Sequence, residues 1–224
     1  MRLLLALSLV ALTISVSRAD TIYVWCADGT LHKFESNGSR FVFPQNFPSV
    51  YVPVGLTVNS SGNLYVAVGG NIHVFDRNGN QLNSPPPMGL LDIVSGVAFD
   101  SADQLFCTDP FYYEICRPIL FAGTIYSLPP FGQRSQSHLA YPLSICFDGL
   151  NQMYVVNGTN GSPFTASSQL VYTNTVQKFD TNFTFLGTVA SGLEGAWGSC
   201  VDKDNNLYVS TTEDNSIRRY ATNG

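Results

Sequence analysis

Charge is the scarcest commodity in this sequence: of 224 residues only 12% are Asp, Glu, Lys or Arg, and the formal net charge is −5. The 11 Lys and Arg form no run or stripe, which argues against a phosphate-binding surface and so against a nucleic-acid partner. Three histidines are thin material for an imidazole-built metal centre, which needs several ligands converging on one point. The five cysteines follow no CxxC or Cys/His zinc spacing, and their odd number leaves a thiol over whatever pairs form. No Gly-x-Ser-x-Gly elbow and no phosphate-binding glycine loop is present, so no nucleophile stands out. Beyond the N-terminal twenty residues no apolar run is long enough for a transmembrane helix. Ala, Leu, Glu and Lys are sparse there too, whereas Phe (15) and Tyr (11) are abundant, a balance that favours strands over helices.

The N-terminus carries a different signal. Arg2 is followed by the apolar stretch Leu3 to Val16, and Ser17 and Ala19 bracket Arg18 in a small-x-small pattern. This reads as a secretory signal peptide over residues 1–19, cleaved between Ala19 and Asp20. The stretch is shorter than the roughly 20 residues a spanning helix needs. The expected product is a domain of residues 20–224, secreted, periplasmic or at a cell surface, where disulfides are permitted.

One template then recurs: a short apolar stretch ending in Asp or Asn, a Gly/Asn-rich turn, a Leu-Tyr-Val strand, a variable loop, and a strand ending in an aromatic. Its clearest copy runs from Gly55 to Asn80; others begin at Gly96, Ser144 and Gly198, and a partial copy from Thr21 lacks the first strand. Tyr23, Tyr65, Phe106, Tyr154 and Tyr208 share one column, at spacings of 42, 41, 48 and 54 by subtraction. Phe34, Phe75, Leu128, Phe179 and Tyr220 share another, and Thr57, Ala98, Cys146 and Cys200 form a column of small residues. Repeats of roughly 40–50 residues with about four strands each are propeller blades.

The pattern Gly-φ-Ala-φ-Asp-x-x-Gly-Asn-Leu-Tyr-Val-Ala followed by Asn-x-Ile-x-x-Phe resembles the NHL repeat, best at Gly55 to Phe75 and Gly198 to Tyr220. The resemblance covers nearly all of the chain after residue 19. It implies an all-β, six-bladed type of propeller, an architecture shared with the SMP-30/gluconolactonase group. The inventory here supplies about four to five blades, so the expected ring is open or truncated.

In such a propeller the first strands line a central channel, and the loops from second to third strand gather on one face. Two of those loops read as long: Asp109 to Gly123 and Asn157 to Asn174. Rigid scaffolds tend to carry binding groups on loops. Asp109, Tyr112, Tyr113, Phe164 and Glu194 are therefore the candidate ligand-binding residues, for an unknown protein or carbohydrate ligand, with the packing of the loops onto the blades as the competing account of the aromatics. No catalytic residue is assigned. Resemblance to the gluconolactonase group touches Thr108-Asp109-Pro110 and Leu193-Glu194-Gly195-Ala196-Trp197, and implies Glu194 as a weak Ca²⁺ ligand. The family's Asn partners are replaced by Ser95-Gly96 and Leu143-Ser144, and a hard cation needs several oxygens. No cofactor is expected; Ca²⁺ belongs to the alternative reading as a lactonase. Some lyases of the NHL fold bind zinc through histidine, but His32 and His73 fall in a third-strand column with Tyr126, Gln177 and Arg218 that reads as a solvated face, and His138 lies apart in a loop.

Overall fold

The computed structural model describes residues 10–12, 21–26, 30–43, 55–82, 94–121, 124–127, 138–158 and 172–221. Its strands form antiparallel meanders. The first sheet is β1 (Val10–Leu12), β2 (Ile22–Trp25), β3 (Leu31–Phe34) and β4 (Arg40–Val42); the second is β5 (Gly55–Val58), β6 (Leu64–Val68) and β7 (Asn71–Phe75). The third is β8 (Val97–Phe99), β9 (Leu105–Asp109) and β10 (Glu114–Cys116), followed by a separate hairpin of β11 (Pro118–Phe121) and β12 (Thr124–Ser127). The fourth is β13 (Pro142–Phe147), β14 (Met153–Asn157), β15 (Thr175–Phe179) and β16 (Phe185–Ala190); the fifth is β17 (Ala196–Val201), β18 (Asn206–Thr211) and β19 (Ser216–Ala221). The described residues contain no α-helix, and thus no helix long and apolar enough to cross a membrane.

Four buried clusters alternate with the five sheets. Trp25, Leu31, Phe43, Leu56 and Phe75 fill the space between the first and second, and Tyr65, Ile72, Val74, Val97 and Cys107 that between the second and third. Phe106, Ile115, Ile145 and Phe179 pack the third against the fourth, and Tyr154, Val156, Val176, Leu207 and Val209 the fourth against the fifth. β6, β9 and β14 are buried along their whole length because each has a neighbouring sheet on both faces. β18 alternates between buried and half-buried residues, as a strand covered on one face does. β5, β8, β13 and β17 lie side by side in that order. This is the arc of a β-propeller.

The inner strands approach so closely that the glycine at their start becomes obligatory. A Cβ on Gly55 would lie 2.5 Å from the Ser95 carbonyl oxygen, and one on Gly96 would lie 2.9 Å from the Ser144 Cα and the Ile145 nitrogen. In the fourth sheet Ser144 holds this position and uses its side chain as the link: its Oγ accepts the Ser199 N–H at 3.0 Å.

The turn chemistry explains the repeated Asp and Asn. Asp100, Asp148 and Asp202 each close a first-to-second-strand turn, Asp180 closes the turn from β15 to β16, and Asp76 closes the turn from β7 to Gln81, which bridges back to Phe75. In every case one carboxylate oxygen accepts the N–H groups two and four residues on, at 2.8–2.9 Å. The residue three positions on is left-handed each time: Gly79, Asp103, Asn151, Phe183 and Asn205, as are Gly38 and Gly62 in their own turns. Gly, Asn and Asp tolerate that region; Phe183 is the bulky exception, and its ring is buried against Phe106 at 5.7 Å. Where this residue is Asp or Asn it also reaches the preceding sheet. The Ser60 N–H and hydroxyl donate to Asp103, both at 2.9 Å, the Ser101 N–H to Asn151 at 2.8 Å, and the Gly149 N–H to Asn205 at 2.8 Å.

Three expectations change. The first sheet does have a first strand: β1 pairs through Val10↔Trp25, Ala11↔Val24 and Leu12↔Tyr23, and it lies inside the stretch read as a leader. The third strand of the third sheet is Glu114–Cys116 and not the segment ending at Leu128, because β10 follows β9 across a tight turn while β12 pairs with β11. The column of His32, His73 and Gln177 is not a solvated face, since His32 and Gln177 are buried. Neighbouring residues satisfy it: the Arg40 Nε donates to His32 Nδ1 at 3.0 Å, Gln81 meets His73 Nδ1 at 3.3 Å, and the Thr188 hydroxyl donates to Gln177 at 2.7 Å.

Candidate functional site

The register places the β9–β10 turn, the approach to β13, the β14–β15 connection and the turn before β17 on one face of the arc. The segment expected to be a long loop after Asp109 is there a four-residue turn, 110–113, closed by the pair Asp109↔Glu114. Asp109 is buried, and its Oδ1 accepts the N–H groups of Phe111 at 2.9 Å and Tyr112 at 3.1 Å. Its carboxylate shapes the turn from beneath. That geometry lifts Phe111 to the surface at 37% exposure and leaves Tyr112 half-buried. Tyr113 points the other way, against the cluster of Phe106, Ile115 and Leu139, so its ring packs the turn onto the core.

Tyr141 joins this patch from the next sheet. Its ring meets Phe111 edge-on at 6.4 Å, and its carbonyl accepts the Gly158 N–H at 3.0 Å. Tyr113 and Tyr141 both adopt left-handed backbone, with φ of 56° and 58°. Large side chains avoid that region, at a cost of about 1–3 kcal/mol each. Tyr113 is held there by core packing; half-buried Tyr141 has less to hold it.

The other expected residues divide. Phe164 and most of the Asn157–Asn174 connection lie outside the described residues. Glu194 is exposed in the turn before β17, and the fourth sheet stands between it and Asp109. β-Bulges occur nearby, the register skipping at Leu143 and at Trp197–Gly198. Ser95 and Leu143 are buried, whereas Trp197 is 37% exposed. The Gly96 N–H donates to Thr108 Oγ1 at 2.8 Å and the Gly198 N–H to Ser210 Oγ at 3.0 Å, so second-strand hydroxyls satisfy the donors at these positions. The positions where the resembled family keeps Asn ligands thus serve here to pack inner strands. Among the described residues no three His, Cys, Asp or Glu side chains are grouped to hold a metal ion. His32 and His73 sit on different sheets, and the His138 ring stacks on Phe185 at 3.6 Å. Burial lowers the pKa of both His73 and His138, favouring their neutral forms.

Tyr141 is the residue the sequence reading missed. Its place directly before Pro142 points to extended backbone, so the left-handed conformation it adopts had no signal in the sequence.

No family model matches the chain, and no curated protein matches it in sequence. Solved structures match it in fold. A streptogramin B lyase aligns with a TM-score of 0.60 at 15% identity over 96% of this chain and 69% of its own. Virginiamycin B lyase from Staphylococcus aureus aligns with a TM-score of 0.57 at 16% identity over 97% of this chain and 75% of its own. A structural-genomics protein of unknown function from Bacteroides thetaiotaomicron gives a TM-score of 0.63 at 14% identity, over 90% of this chain and 56% of its own. At such identities the likeness is one of fold, the β-propeller.

Proposed function

We propose that this chain is an exported propeller of the NHL type that works as a non-catalytic binding module, taking a protein or carbohydrate ligand on its loop face. The observation that carries the reading is the patch of Phe111, Tyr112 and Tyr141, displayed by a turn that a buried carboxylate organises and by backbone that large residues avoid. Backbone strain persists where surrounding structure enforces it, and it concentrates at binding sites. Flat amphipathic rings give contact area at small entropic cost, which suits both ligand classes. The repeats at Gly55 to Phe75 and Gly198 to Tyr220 support the NHL assignment, and Arg2 with the apolar stretch to Val16 supports export, in which cleavage after Ala19 removes β1 from the first sheet.

Lyase chemistry is not carried over from the structural neighbours, because the three histidines serve separate local contacts. The alternative, a Ca²⁺-dependent lactonase, keeps exposed Glu194 as its one ligand candidate. A thermal-shift screen separates the two readings. The binding reading expects a member of an oligosaccharide or peptide panel to raise the Tm, by about 5–10 °C at a hundred times its Kd, and expects millimolar Ca²⁺ alone to leave it unchanged. A rise with Ca²⁺ that EDTA reverses, together with hydrolysis of sugar lactones, overturns it in favour of the lactonase.

A further inference from the structure

The register of the third sheet makes Cys107 and Cys116 direct cross-strand partners. The Thr108 N–H donates to the Gly96 carbonyl at 2.9 Å and its carbonyl accepts from the Ser95 N–H at 3.0 Å, so Thr108 turns its backbone groups to the inner strand. Backbone direction alternates along a strand, and Cys107 therefore turns its own groups to β10. Residues paired in that way have Cα atoms about 5.5 Å apart, inside the roughly 4.4–6.8 Å span of a disulfide. Both side chains are fully buried on the face turned to the second sheet, in one cluster with Ala67, Ile72, Val74 and Val97. The other cysteines have different surroundings: the Cys146 thiol donates to Ser199 Oγ at 3.4 Å, and Cys26 and Cys200 are half-buried.

We propose that Cys107 and Cys116 are an oxidation site, closing into a disulfide that fastens the β9–β10 hairpin beneath the Phe111–Tyr113 turn. With glutathione disulfide as oxidant, one cysteine thiolate attacks it, forming a mixed disulfide and releasing one glutathione thiol. The second cysteine thiolate then displaces the other glutathione. Two cysteine S–H bonds are lost, one protein S–S bond forms, and the two protons and two electrons leave as two molecules of reduced glutathione. In the folded protein the neighbouring Cys116 thiol, together with burial, holds the Cys107 pKa well above the ordinary thiol value. Thiolate attack is therefore slow once the sheets have packed, and the bond forms during folding. The site stands independently of any ligand on the loop face.

The test refolds the full chain from denaturant in a reduced/oxidised glutathione buffer, blocks remaining thiols with iodoacetamide under denaturing conditions, and maps the peptides by mass. The expected product carries one link, Cys107 to Cys116, about 2 Da lighter than the dithiol form before blocking, with Cys26, Cys146 and Cys200 alkylated. Its Tm stands about 5–10 °C above that of the dithiothreitol-treated protein, and the difference vanishes in the Cys107→Ala/Cys116→Ala variant. Alkylation of all five cysteines, or a link between any other pair, overturns the proposal; the wild-type map decides this even if the double variant fails to fold.

Discussion

At the scale of single residues, the Asp and Asn punctuation is the most legible feature of the chain. Each such residue ends an apolar stretch, and two and four positions on stand the N–H groups that its oxygen accepts. What one repeat could not reveal is the second job of Asp103, Asn151 and Asn205, because their donors belong to the preceding sheet. The turns also set the response to acid. The Asn206 N–H, foremost, holds the Asp202 pKa down to about 2, with the Asn206 side chain and the Tyr208 hydroxyl assisting. Asp76 is likewise lowered by Asn80, and Asp214 by Arg218. A carboxylate with a depressed folded pKa contributes stability that is present above its unfolded value, near pH 4, and is lost as pH falls towards the folded one. Urea midpoints are therefore expected to fall from pH 4 to pH 2. In Asp202→Asn, which puts in the fifth sheet the residue type that Asn59 already supplies in the second, the fall is shallower; an unchanged slope would remove Asp202 from this account.

Among elements, repeat matching located second strands well and misplaced a third. Tyr126 and Leu128 looked like the aromatic-ended strand because Thr-Ile-Tyr alternates correctly, whereas Glu114-Ile-Cys reads as loop. Register overrode propensity: the short turn after Asp109 brings Glu114 straight back against β9, and Ile115 is buried against the next sheet. The same shortening turned an expected loop into a pedestal for Phe111 and Tyr112. Two changes test whether that pedestal binds. Phe111→Ala/Tyr112→Ala is expected to weaken ligand binding about tenfold or more with the Tm nearly kept. Tyr141→Gly, which removes the penalty of a left-handed tyrosine, is expected to raise stability by about 1 kcal/mol while weakening binding. A double variant that loses stability and keeps its affinity would make the rings packing residues, as Tyr113 already is.

Over the whole molecule, the repeats imply about four to five blades in an open or truncated ring, and the structure holds five sheets in an arc; which side chains the two outer faces carry was not legible. A sheet face reads the same in sequence whether a neighbour covers it or water does. In the structure the far side of the fifth sheet exposes Ile217 at 73%, and the first sheet exposes Val42 at 44%. Exposed apolar side chains at the ends of the arc favour association, since each buried Å² gains about 25 cal/mol. Strand edges at the ends of an arc add backbone donors and acceptors to the attraction. The protein is therefore expected to self-associate in a concentration-dependent way, with these faces in contact. In multi-angle light scattering the wild-type mass should rise over the micromolar range, and Ile217→Lys should hold the protein closer to monomer. The substitution puts a charge on a side chain that touches little of its own sheet, so the Tm of the dilute protein should stay within a degree or two. Wild-type protein that remains monomeric across the range would mean that these faces are too small or too curved to pair.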